Sequence, residues 1–195
     1  MKQPNIIPKT KDQRLKTKDF LYVGNAYPHK NLERLLEAIA SIKYSVLGIK
    51  LILVGGEDHF YKQLKKKVEV MGLTESVSFY GPAKREELTS LYQKALALVF
   101  PSLMEGFGLP AVEAMTNNCL VLASDIPVFR EILDDAVLYF NPQETKSIAE
   151  KLKEVSLNPF KYDFLKIKAK SLVVKYSWVK LARETFKIYQ EVNNL

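Results

Sequence analysis

From Phe20 onward, short apolar runs alternate with longer amphipathic segments, and this rhythm restricts the folds that the chain can adopt. The runs cover residues 20–24, 49–56, 76–81, 96–102, 119–124 and 136–140. Most of them are apolar almost throughout, as strands are when helices cover both of their faces. The alternation therefore predicts an α/β fold, a Rossmann-like open parallel sheet of about six strands with helices on both faces.

The segments between the runs have the spacing of amphipathic helices. In NLERLLEAIASIKY, five apolar residues fall on one helical face: Leu32, Leu35, Leu36, Ile39 and Ile42. Asn31 is predicted as the N-cap of this helix, and Gly72 as the C-cap of the next one. Further helical patterns lie in REELTSLYQKA, PAVEAMTNN and TKSIAEKLKEV. Two more, at about residues 161–175 and 178–193, make the C-terminus rich in helix.

Composition limits the class of protein and its compartment. The chain has 195 residues, of which 47% are apolar, enough for the core of one domain. Its single cysteine, Cys119, lies in the apolar run CLVLAS and is predicted to be a buried structural thiol. No apolar run is long enough to span a membrane, and the N-terminus has no apolar stretch of signal-peptide length. We therefore expect a cytoplasmic protein.

The formal net charge of +7 is concentrated at the two ends of the chain. Residues 1–19 contribute +4, residues 20–150 contribute −3 and residues 151–195 contribute +6. Neither end interleaves its lysines with glycine and aromatic residues, so nucleic acid is not an expected partner. Lysine-rich ends are usually solvated; the functional alternative is weak attraction to anionic lipid at the inner face of the cell membrane.

Glycine and polar residues follow most of the predicted strands. Gly24 begins GNAYPHKN after the first run, Gly55 and Gly81 follow the second and third, and PSLMEGFG follows the fourth. In an open parallel sheet, the loops at the carboxyl ends of the strands line the ligand crevice. We call these loops the rim. Glycines there allow a backbone to approach a diphosphate or a sugar ring closely.

The segment PSLMEGFGLPAVEA places two carboxylates at this rim. Pro110 suits the first position of a helix, so the helix is predicted to begin there, with Glu113 in its first turn. An acid in a first turn can act simply by complementing the helix dipole. Glu105 lies between an apolar strand and two glycines, where a partly enclosed carboxylate needs a hydrogen-bonding partner. The vicinal hydroxyls of a nucleotide sugar are such partners.

Lys30 is the predicted cation of the same site. It follows the first strand and precedes a helix, from where it would reach a diphosphate and stabilise it as a leaving group. The alternative is an ordinary surface lysine. Neither an Asp-x-Asp triplet nor a paired-histidine motif nor a cysteine cluster is present, so no metal site is indicated. The chain also lacks a Walker loop and a Gly-x-Gly-x-x-Gly fingerprint, which argues against NTPase and dinucleotide-binding functions.

In combination, these segments resemble the C-terminal, donor-binding domain of retaining glycosyltransferases of family 4, which have the two-domain GT-B architecture. The resemblance covers roughly residues 20–192 and rests on YVGNAYPHKNLERLLEAI, LILVGG, VSFYGPAKREELTSLYQKA, PSLMEGFGLPAVEAM, VLASDIPVFREI, DDAVLYFNP and YSW. A lone Glu-x7-Glu pattern would carry no weight, but it is specific among these neighbours.

The resemblance implies a nucleotide-diphosphate sugar bound at the rim. Glu105 would bond the hydroxyls of the transferred sugar and Lys30 would bind the diphosphate, which makes these two the expected catalytic residues. Glu113 would take the ribose hydroxyls, and the turn after Gly81 would contact the base. The full expected set of binding residues is Gly24, Asn25, Lys30, Gly55, Gly81, Ala83, Glu105, Gly106, Phe107, Gly108, Leu109 and Glu113.

The chemistry implied by the resemblance needs neither metal nor cofactor. The sugar would leave and be attacked on the same face, with retention at the anomeric carbon, and would pass to a glycan or lipid-linked acceptor in polysaccharide biosynthesis. The segments PHKN and DDAVLYFNP favour the mannosyltransferase-like members. GDP-mannose is therefore the first expectation for the donor and a UDP-sugar the second.

Two departures from the family pattern qualify this expectation. Many members carry an arginine directly after the first-strand glycine as a second diphosphate cation, whereas this chain has Asn25. The N-terminal, acceptor-binding domain of about equal size is also absent. The chain alone is therefore expected to bind donor without turnover, either as an excised domain or as a split-gene half.

The resemblance also suggests how the chain is divided. Residues 1–18 would be a linker remnant, residues 19–175 the nucleotide-sugar-binding domain, and residues 176–195 a C-terminal helix that crosses to the missing domain and leaves an apolar patch bare. A different class of function stays open, namely a non-catalytic nucleotide-sugar-binding module that regulates a partner.

Overall fold

The computed structural model describes residues 19–193, so the predicted linker remnant at residues 1–18 lies outside the described residues. Six parallel strands form one sheet: β1 (Asp19–Val23), β2 (Lys50–Val54), β3 (Val77–Gly81), β4 (Ala97–Phe100), β5 (Leu120–Ser124) and β6 (Leu138–Phe140). Each strand lies within the predicted run or within one residue of it. The α/β, Rossmann-like fold with an open parallel sheet is confirmed.

The strand order in the sheet is β3-β2-β1-β4-β5-β6. This is the order of doubly wound dinucleotide-binding folds, in which β2 and β3 are added on one side of β1 and β4–β6 on the other, so the strand order reverses between β1 and β4. The loops that follow these two strands diverge from the same point at the carboxyl edge. A crevice between them is therefore the position at which such sheets bind ligands.

Eight helices and one short 3-10 turn connect and follow the strands within residues 19–193. The 3-10 turn is Pro28–Lys30, and the helices are α1 (Leu32–Ile42), α2 (His59–Val70), α3 (Arg85–Lys94), α4 (Leu109–Thr116), α5 (Pro127–Leu133), α6 (Thr145–Leu157), α7 (Asp163–Val173) and α8 (Trp178–Asn193). The sequence patterns predicted all of the helices except α5. That helix has only seven residues and buries two apolar side chains, Phe129 and Leu133, which is too few to show a helical period.

Two layers of helices cover the sheet. On one face, α1 packs against α2 and α6; α4 and α7 pack together in the second layer. The apolar stripe predicted for α1 is buried, as are Leu64 and Val68 of α2. Gly72 closes α2 as predicted: its φ is 62°, and the Leu73 N–H donates to the Val68 carbonyl at 2.9 Å.

The last helix, α8, contributes no residue to the buried core. None of its residues is buried, and seven large apolar side chains are each more than half exposed: Trp178, Val179, Leu181, Phe186, Ile188, Tyr189 and Val192. Six residues line a groove of about 420 Å³ along it: Trp178, Leu181, Ala182, Thr185, Phe186 and Tyr189. The expected bare apolar patch at this end is therefore present. Within residues 19–193, no helix combines the length and apolarity needed to cross a membrane.

Candidate functional site

Lys30 and Glu105 meet at the point where the strand order reverses. Lys30 ends the 3-10 turn after β1, and Glu105 lies in the loop between β4 and α4. The Lys30 Nζ donates to the Glu105 Oε1 at 2.5 Å, and the two side chains are only 13% and 11% exposed. The predicted cation and the predicted sugar-binding carboxylate thus form one partly enclosed ion pair. Lys30 is therefore mostly enclosed and paired, unlike an ordinary surface lysine, and its role toward a ligand stays a prediction.

Ser102 is a second partner of the same carboxylate. Its side chain is fully buried at the start of the β4–α4 loop, and its Oγ donates to the Glu105 Oε1 at 2.7 Å. Because both donors bind Oε1, neither of them occupies Oε2, which can accept from a ligand. The sequence analysis missed Ser102. Its position three residues before Glu105 in the same turn was the available signal.

The loops that carry Lys30 and Glu105 are also joined through their backbones. The Leu103 N–H donates to the His29 carbonyl at 2.7 Å, which connects the β4–α4 loop to the 3-10 turn. The buried Asn31 side chain donates to the Pro101 carbonyl at 3.0 Å. The structure places Asn31 directly before α1, as predicted, but its side chain makes no cap bond to that helix. The Asn31 side chain instead forms its hydrogen bonds with the neighbouring loops.

Helix α4 begins one residue earlier than predicted. Gly108 is its N-cap, with φ 88° and ψ 44°, and this left-handed conformation makes Leu109 the first helical residue and Pro110 the second. Glu113 is therefore the fifth residue, and the prediction that it lies in the first turn was wrong. At that position an acid gains little from the helix dipole, whose effect is confined to the first turn. The simple dipole explanation for Glu113 is correspondingly weaker.

A buried tyrosine orients the Glu113 carboxylate. Tyr92 of α3 is 1% exposed, and its hydroxyl donates to the Glu113 Oε2 at 3.1 Å. Burial, together with the neighbouring Glu113 charge, raises the pKa of Tyr92 well above its ordinary value, so the phenol stays a neutral donor. This contact was not predicted. It joins Glu113 of α4 to α3.

Three glycines predicted to bind ligand lie side by side at the ends of β1, β2 and β3. The Gly24 N–H donates to the Val54 carbonyl at 3.0 Å, and the Gly55 N–H donates to the Gly81 carbonyl at 3.1 Å. A Cβ on Gly55 would lie 2.1 Å from the Gly24 carbonyl oxygen, so backbone packing already requires this glycine. By contrast, a Cβ on Gly81 would meet nothing within 4 Å, which leaves that turn open to a ligand.

Asn25 and Ala83 complete the rim on this side. The Asn25 carbonyl accepts a hydrogen bond from the buried Tyr22 hydroxyl at 2.7 Å, and its side-chain oxygen accepts from the Tyr27 N–H at 3.4 Å. Burial raises the pKa of Tyr22, so this phenol also remains a donor. Ala83 is half-buried against the core beside the Gly81 turn. Asn25 thus shapes the loop that follows β1.

The Gly106–Leu109 stretch joins Glu105 to α4. Gly106 is exposed, and a Cβ there would meet nothing within 4 Å, whereas one on Gly108 would lie 2.7 Å from the Phe129 ring. Phe107 packs edge-on against Tyr176, with ring centroids 5.3 Å apart. Tyr176 lies two residues before α8, so the segment that leads into this helix touches the loop that carries Glu105.

Charged side chains also cluster elsewhere in the described chain. Among residues 19–193, no group of three or more His, Cys, Asp or Glu side chains is arranged to hold a metal ion. A second groove, of about 350 Å³, lies beside α7 and is lined by Asp134, Asp135, Ala136, Ile167, Lys168, Ser171, Leu172 and Lys175. The Asp125–Arg130 pair after β5 is exposed, with both of its N–O contacts at 2.6 Å.

Comparison with known proteins shows the family of the chain. Residues 5–172 match the family described as Glycosyl transferases group 1. The chain is 39% identical over 142 residues to the O-antigen chain mannosyltransferase RfbU of Salmonella typhimurium, an alignment that covers 72% of this chain and 39% of that protein. The chain spans less than half the length of the curated relatives that it matches first.

Solved structures show the same fold. The sucrose-phosphate synthase of Thermosynechococcus elongatus superimposes with a TM-score of 0.81 at 26% identity, covering 90% of this chain and 45% of that one. The C-terminal domain of a glycosyl transferase group 1 family protein, LpcC of Francisella tularensis, superimposes with a TM-score of 0.72 at 25% identity. That match covers 85% of this chain and 89% of the solved domain.

Proposed function

The chain belongs to the family of Glycosyl transferases group 1, and from this premise we propose that it is the donor-binding half of a metal-independent retaining glycosyltransferase. The proposed reaction transfers a hexose, with mannose as the first candidate, from a nucleotide-diphosphate sugar to a glycan or lipid-linked acceptor. The observation that carries the proposal is the Lys30–Glu105 ion pair at the reversal of the strand order. A cation and a carboxylate held together there suit the two halves of such a donor.

Glu105 is proposed to bind the transferred sugar through its second oxygen. Lys30 and Ser102 both donate to Oε1, which fixes the plane of the carboxylate and leaves Oε2 with acceptor capacity. A carboxylate oxygen of fixed direction accepts well from a sugar hydroxyl, since charge-assisted hydrogen bonds are stronger than neutral ones. The next residue, Gly106, has open space where a Cβ would lie, so a sugar ring can approach the backbone there.

Lys30 is proposed to bind the diphosphate and to stabilise it as it leaves. Negative charge grows on the diphosphate as the bond to the anomeric carbon breaks, and a cation already in place needs little rearrangement to stabilise that charge. The start of α4 offers backbone N–H groups to the same anion. In this proposal no metal is required, and the acceptor proton passes to the departing phosphate or to a group outside this chain.

The nucleoside is proposed to lie across the β1–β3 side of the rim. Glu113, oriented by the Tyr92 hydroxyl, would accept from the ribose hydroxyls. The Gly81 turn and the adjacent Ala83 would contact the base, because that turn is open in the structure. Gly24, Asn25 and Gly55 would shape the floor of the site, through contacts that they make with one another and with buried tyrosines.

Mannose, with GDP-mannose as donor, is the first candidate because the relative from Salmonella typhimurium is an O-antigen chain mannosyltransferase. A UDP-sugar is the second candidate. Polysaccharide assembly in the cytoplasm, at the inner face of the cell membrane, is the setting we propose. The chain's basic ends support this location through weak attraction to anionic lipid.

The acceptor side is proposed to come from a second domain. The chain matches nearly the whole of a solved C-terminal domain from the same family but less than half of the full-length relatives. The exposed apolar stripe of α8 is proposed to pack on that second domain, since large apolar patches in soluble proteins mark interaction surfaces. Donor binding would then belong to this chain, and transfer to the two domains together.

Isothermal titration calorimetry of the purified chain with GDP, UDP and ADP tests the proposal. We expect one of the three nucleotides to bind, with an affinity that 5 mM EDTA leaves unchanged. Binding that disappears with EDTA would refute the metal-independent mechanism, and failure of all three nucleotides to bind would refute the donor site itself.

Transfer assays separate the enzyme from the alternative of a regulatory binding module. The chain is combined with an acceptor-binding domain of the same family, supplied by a full-length relative, and sugar transfer from radiolabelled GDP-mannose is followed. Transfer that depends on both halves supports the enzyme. If the chain binds a nucleotide sugar but the gene that encodes it contains no second α/β domain, the regulatory binding module is favoured.

A further inference from the structure

Asn31 has a backbone conformation that few residues adopt. It separates the 3-10 turn Pro28–Lys30 from α1, with φ 58° and ψ 30°. Asparagine is one of the few non-glycine residues that enter the left-handed region readily. The residue is also 8% exposed, which makes it one of only four buried polar or charged residues within the described chain. A buried side-chain amide needs hydrogen-bonding partners, and these partners explain why asparagine occupies this position.

Both N–H groups of the Asn31 side-chain amide donate to carbonyls of two other loops. Its Nδ2 donates to the Pro101 carbonyl at 3.0 Å and to the Pro142 carbonyl at 2.8 Å. Its Oδ1 accepts from the Arg34 guanidinium at 3.2 Å, and Arg34 also donates to Pro142 at 3.0 Å. One side chain therefore connects the loops that follow β1, β4 and β6.

The two ends of this connection carry the residues of the proposed site. Asn31 is bonded covalently to Lys30, and Pro101 directly precedes Ser102, which holds the Glu105 carboxylate. The Asn31 amide binds two carbonyls at once, and together with the Leu103–His29 backbone bond it sets the separation of the β1 and β4 loops at the reversal point. An aspartate has no N–H to donate and a serine has a single O–H, so neither replaces it.

We propose that Asn31 is a positioning residue, which holds Lys30 against Glu105 at the geometry in which Lys30 meets the donor diphosphate. This inference rests on the donor-binding function proposed above. Removing the amide would take away the Asn31 donor to the Pro101 carbonyl and leave the Pro142 carbonyl with Arg34 as its side-chain donor. The 3-10 turn would then be joined to the β4–α4 loop by the Leu103–His29 backbone bond without the side-chain bond beside it, and would move more easily. Lys30 would keep its charge but lose its fixed position, and a diphosphate would lose more affinity than a nucleoside.

The test uses Asn31→Gly, with Asn118→Gly as the matched control. Glycine tolerates the left-handed conformation, so the first change deletes the amide without adding backbone strain. Asn118 also has a left-handed backbone, with φ 59°, but it is exposed beyond the far end of α4, away from the rim. We expect Asn31→Gly to weaken GDP binding at least tenfold and guanosine binding less than threefold, whereas Asn118→Gly should change neither.

A double-mutant cycle shows whether Asn31 acts through Lys30. We measure GDP affinity in the wild type, Asn31→Gly, Lys30→Ala and the double variant. The proposal predicts that Asn31→Gly costs at least tenfold with Lys30 present and less than threefold once Lys30 is absent. Equal losses in both backgrounds, or equal losses for GDP and guanosine, would overturn the proposal, since general loosening of the fold predicts that pattern.

NMR of the ligand-free chain provides a readout that does not depend on donor binding. The Lys30 side-chain ammonium, held by Glu105, should exchange its protons with water slowly in the wild type and quickly in Asn31→Gly. If Asn31→Gly fails to fold, Arg34→Met removes only the outer support of the amide and should speed the exchange to a smaller degree.

Unchanged exchange of the Lys30 ammonium in a folded Asn31→Gly variant, or in Arg34→Met when Asn31→Gly does not fold, would overturn the positioning role. If the ammonium is released in the variant although the wild type binds neither GDP nor UDP, the positioning role stands and the proposed donor function fails.

Discussion

The Lys30 ammonium lies 2.5 Å from the Glu105 Oε1, although the two residues are 75 positions apart in the chain. Both side chains are mostly enclosed, and the fully buried Ser102 shares the same carboxylate oxygen. The pair therefore neutralises two charges that would be costly to bury singly. It also sets up a competition, because a diphosphate that approaches Lys30 meets a cation already engaged by Glu105.

Replacing Lys30 by alanine should weaken nucleoside diphosphate binding by about 1.5–3 kcal/mol, the usual contribution of a charge-assisted hydrogen bond, or about 10- to 150-fold. Calorimetric titration with GDP and UDP measures the loss. Lys65→Ala is a closely matched control. Lys65 is also 13% exposed, pairs with Glu57 at 2.8 Å and lies 5.5 Å from the centre of the Phe79 ring. A loss of similar size in both variants would remove Lys30 from the site.

Glu105→Gln should separate sugar recognition from phosphate recognition. The amide oxygen of glutamine can still accept from Lys30 and Ser102, so the lysine keeps its position. Without the negative charge the lysine is held less tightly, and the side chain competes less with a diphosphate for it, so the affinity for GDP should hold or rise. The affinity for GDP-mannose relative to GDP should fall by about 1.5–3 kcal/mol, because the charged acceptor for the sugar hydroxyls is gone. Competition titrations with both ligands measure this ratio. A GDP-mannose to GDP ratio equal to that of the wild type would contradict the sugar-binding role.

Tyr92→Phe should weaken ribose recognition without disturbing the diphosphate. The change removes the hydroxyl that donates to Glu113 at 3.1 Å, and a neutral hydrogen bond contributes about 0.5–1.5 kcal/mol. GDP affinity should therefore fall about 2- to 13-fold, while the affinity for 2′-deoxy-GDP should fall less. Tyr162→Phe, at a similarly buried tyrosine directly before α7, serves as the control. Equal losses for the two nucleotides would argue against an action through Glu113.

Residue type and loop position led to Lys30 and Glu105 as candidate site residues, but they did not predict the contact between the two side chains. That contact depends on β1 and β4 being neighbours in the sheet, and strand order is a tertiary property. Ser102 and Tyr92 were missed because each acts through a partner that only the fold supplies. The first-turn prediction for Glu113 failed because the left-handed Gly108 admits Leu109 as the first helical residue.

The ionised Glu154 carboxylate, near the end of α6, should contribute to folding stability, and this contribution should be lost at low pH. A hydrogen bond from Lys161 at 2.6 Å, aided by Tyr162 and Lys151, lowers the pKa of Glu154 from 4.5 to about 2. A folded-state pKa below the unfolded value contributes stability that is complete above about pH 4.5 and is lost as the pH falls towards 2. Glu154→Gln should therefore melt at a lower temperature than the wild type at pH 7, with a gap that closes between pH 4.5 and 2.

Thermal unfolding followed by circular dichroism from pH 7 to pH 2 measures this gap. Glu150→Gln, on the same helix, removes an exposed carboxylate whose pair with Lys146 is 3.9 Å long, and such pairs contribute little. Its melting temperature should follow that of the wild type across the range. A Glu154→Gln gap that keeps its size down to pH 2 would show that packing, and not ionisation, causes the loss.

The layered fold was more predictable than the site. Strands buried on both faces leave continuous apolar runs, and all six runs became strands of the sheet. Helices of ten or more residues showed their period, whereas the seven-residue α5 did not. The glycine-rich strand ends were predicted to face a ligand. The structure shows that close backbone packing already requires a glycine at position 55, whether or not a ligand binds there. Residue type alone does not distinguish a glycine required by packing from one required by a ligand.

Gly55→Ala should disturb the rim from within. The new methyl group would lie 2.1 Å from the Gly24 carbonyl oxygen and 2.5 Å from the Tyr61 hydroxyl, which itself donates to that carbonyl at 3.1 Å. Overpacking of this kind costs about 1–3 kcal/mol of folding stability and would push the β1 loop away from β2. Gly56→Ala is the neighbouring control, because a Cβ there meets nothing within 4 Å. Chemical denaturation and GDP titration of both variants measure the effect, and Gly55→Ala should lose both folding stability and GDP affinity. Wild-type stability and affinity in Gly55→Ala would mean that the β1 and β2 loops can move apart without loss of free energy.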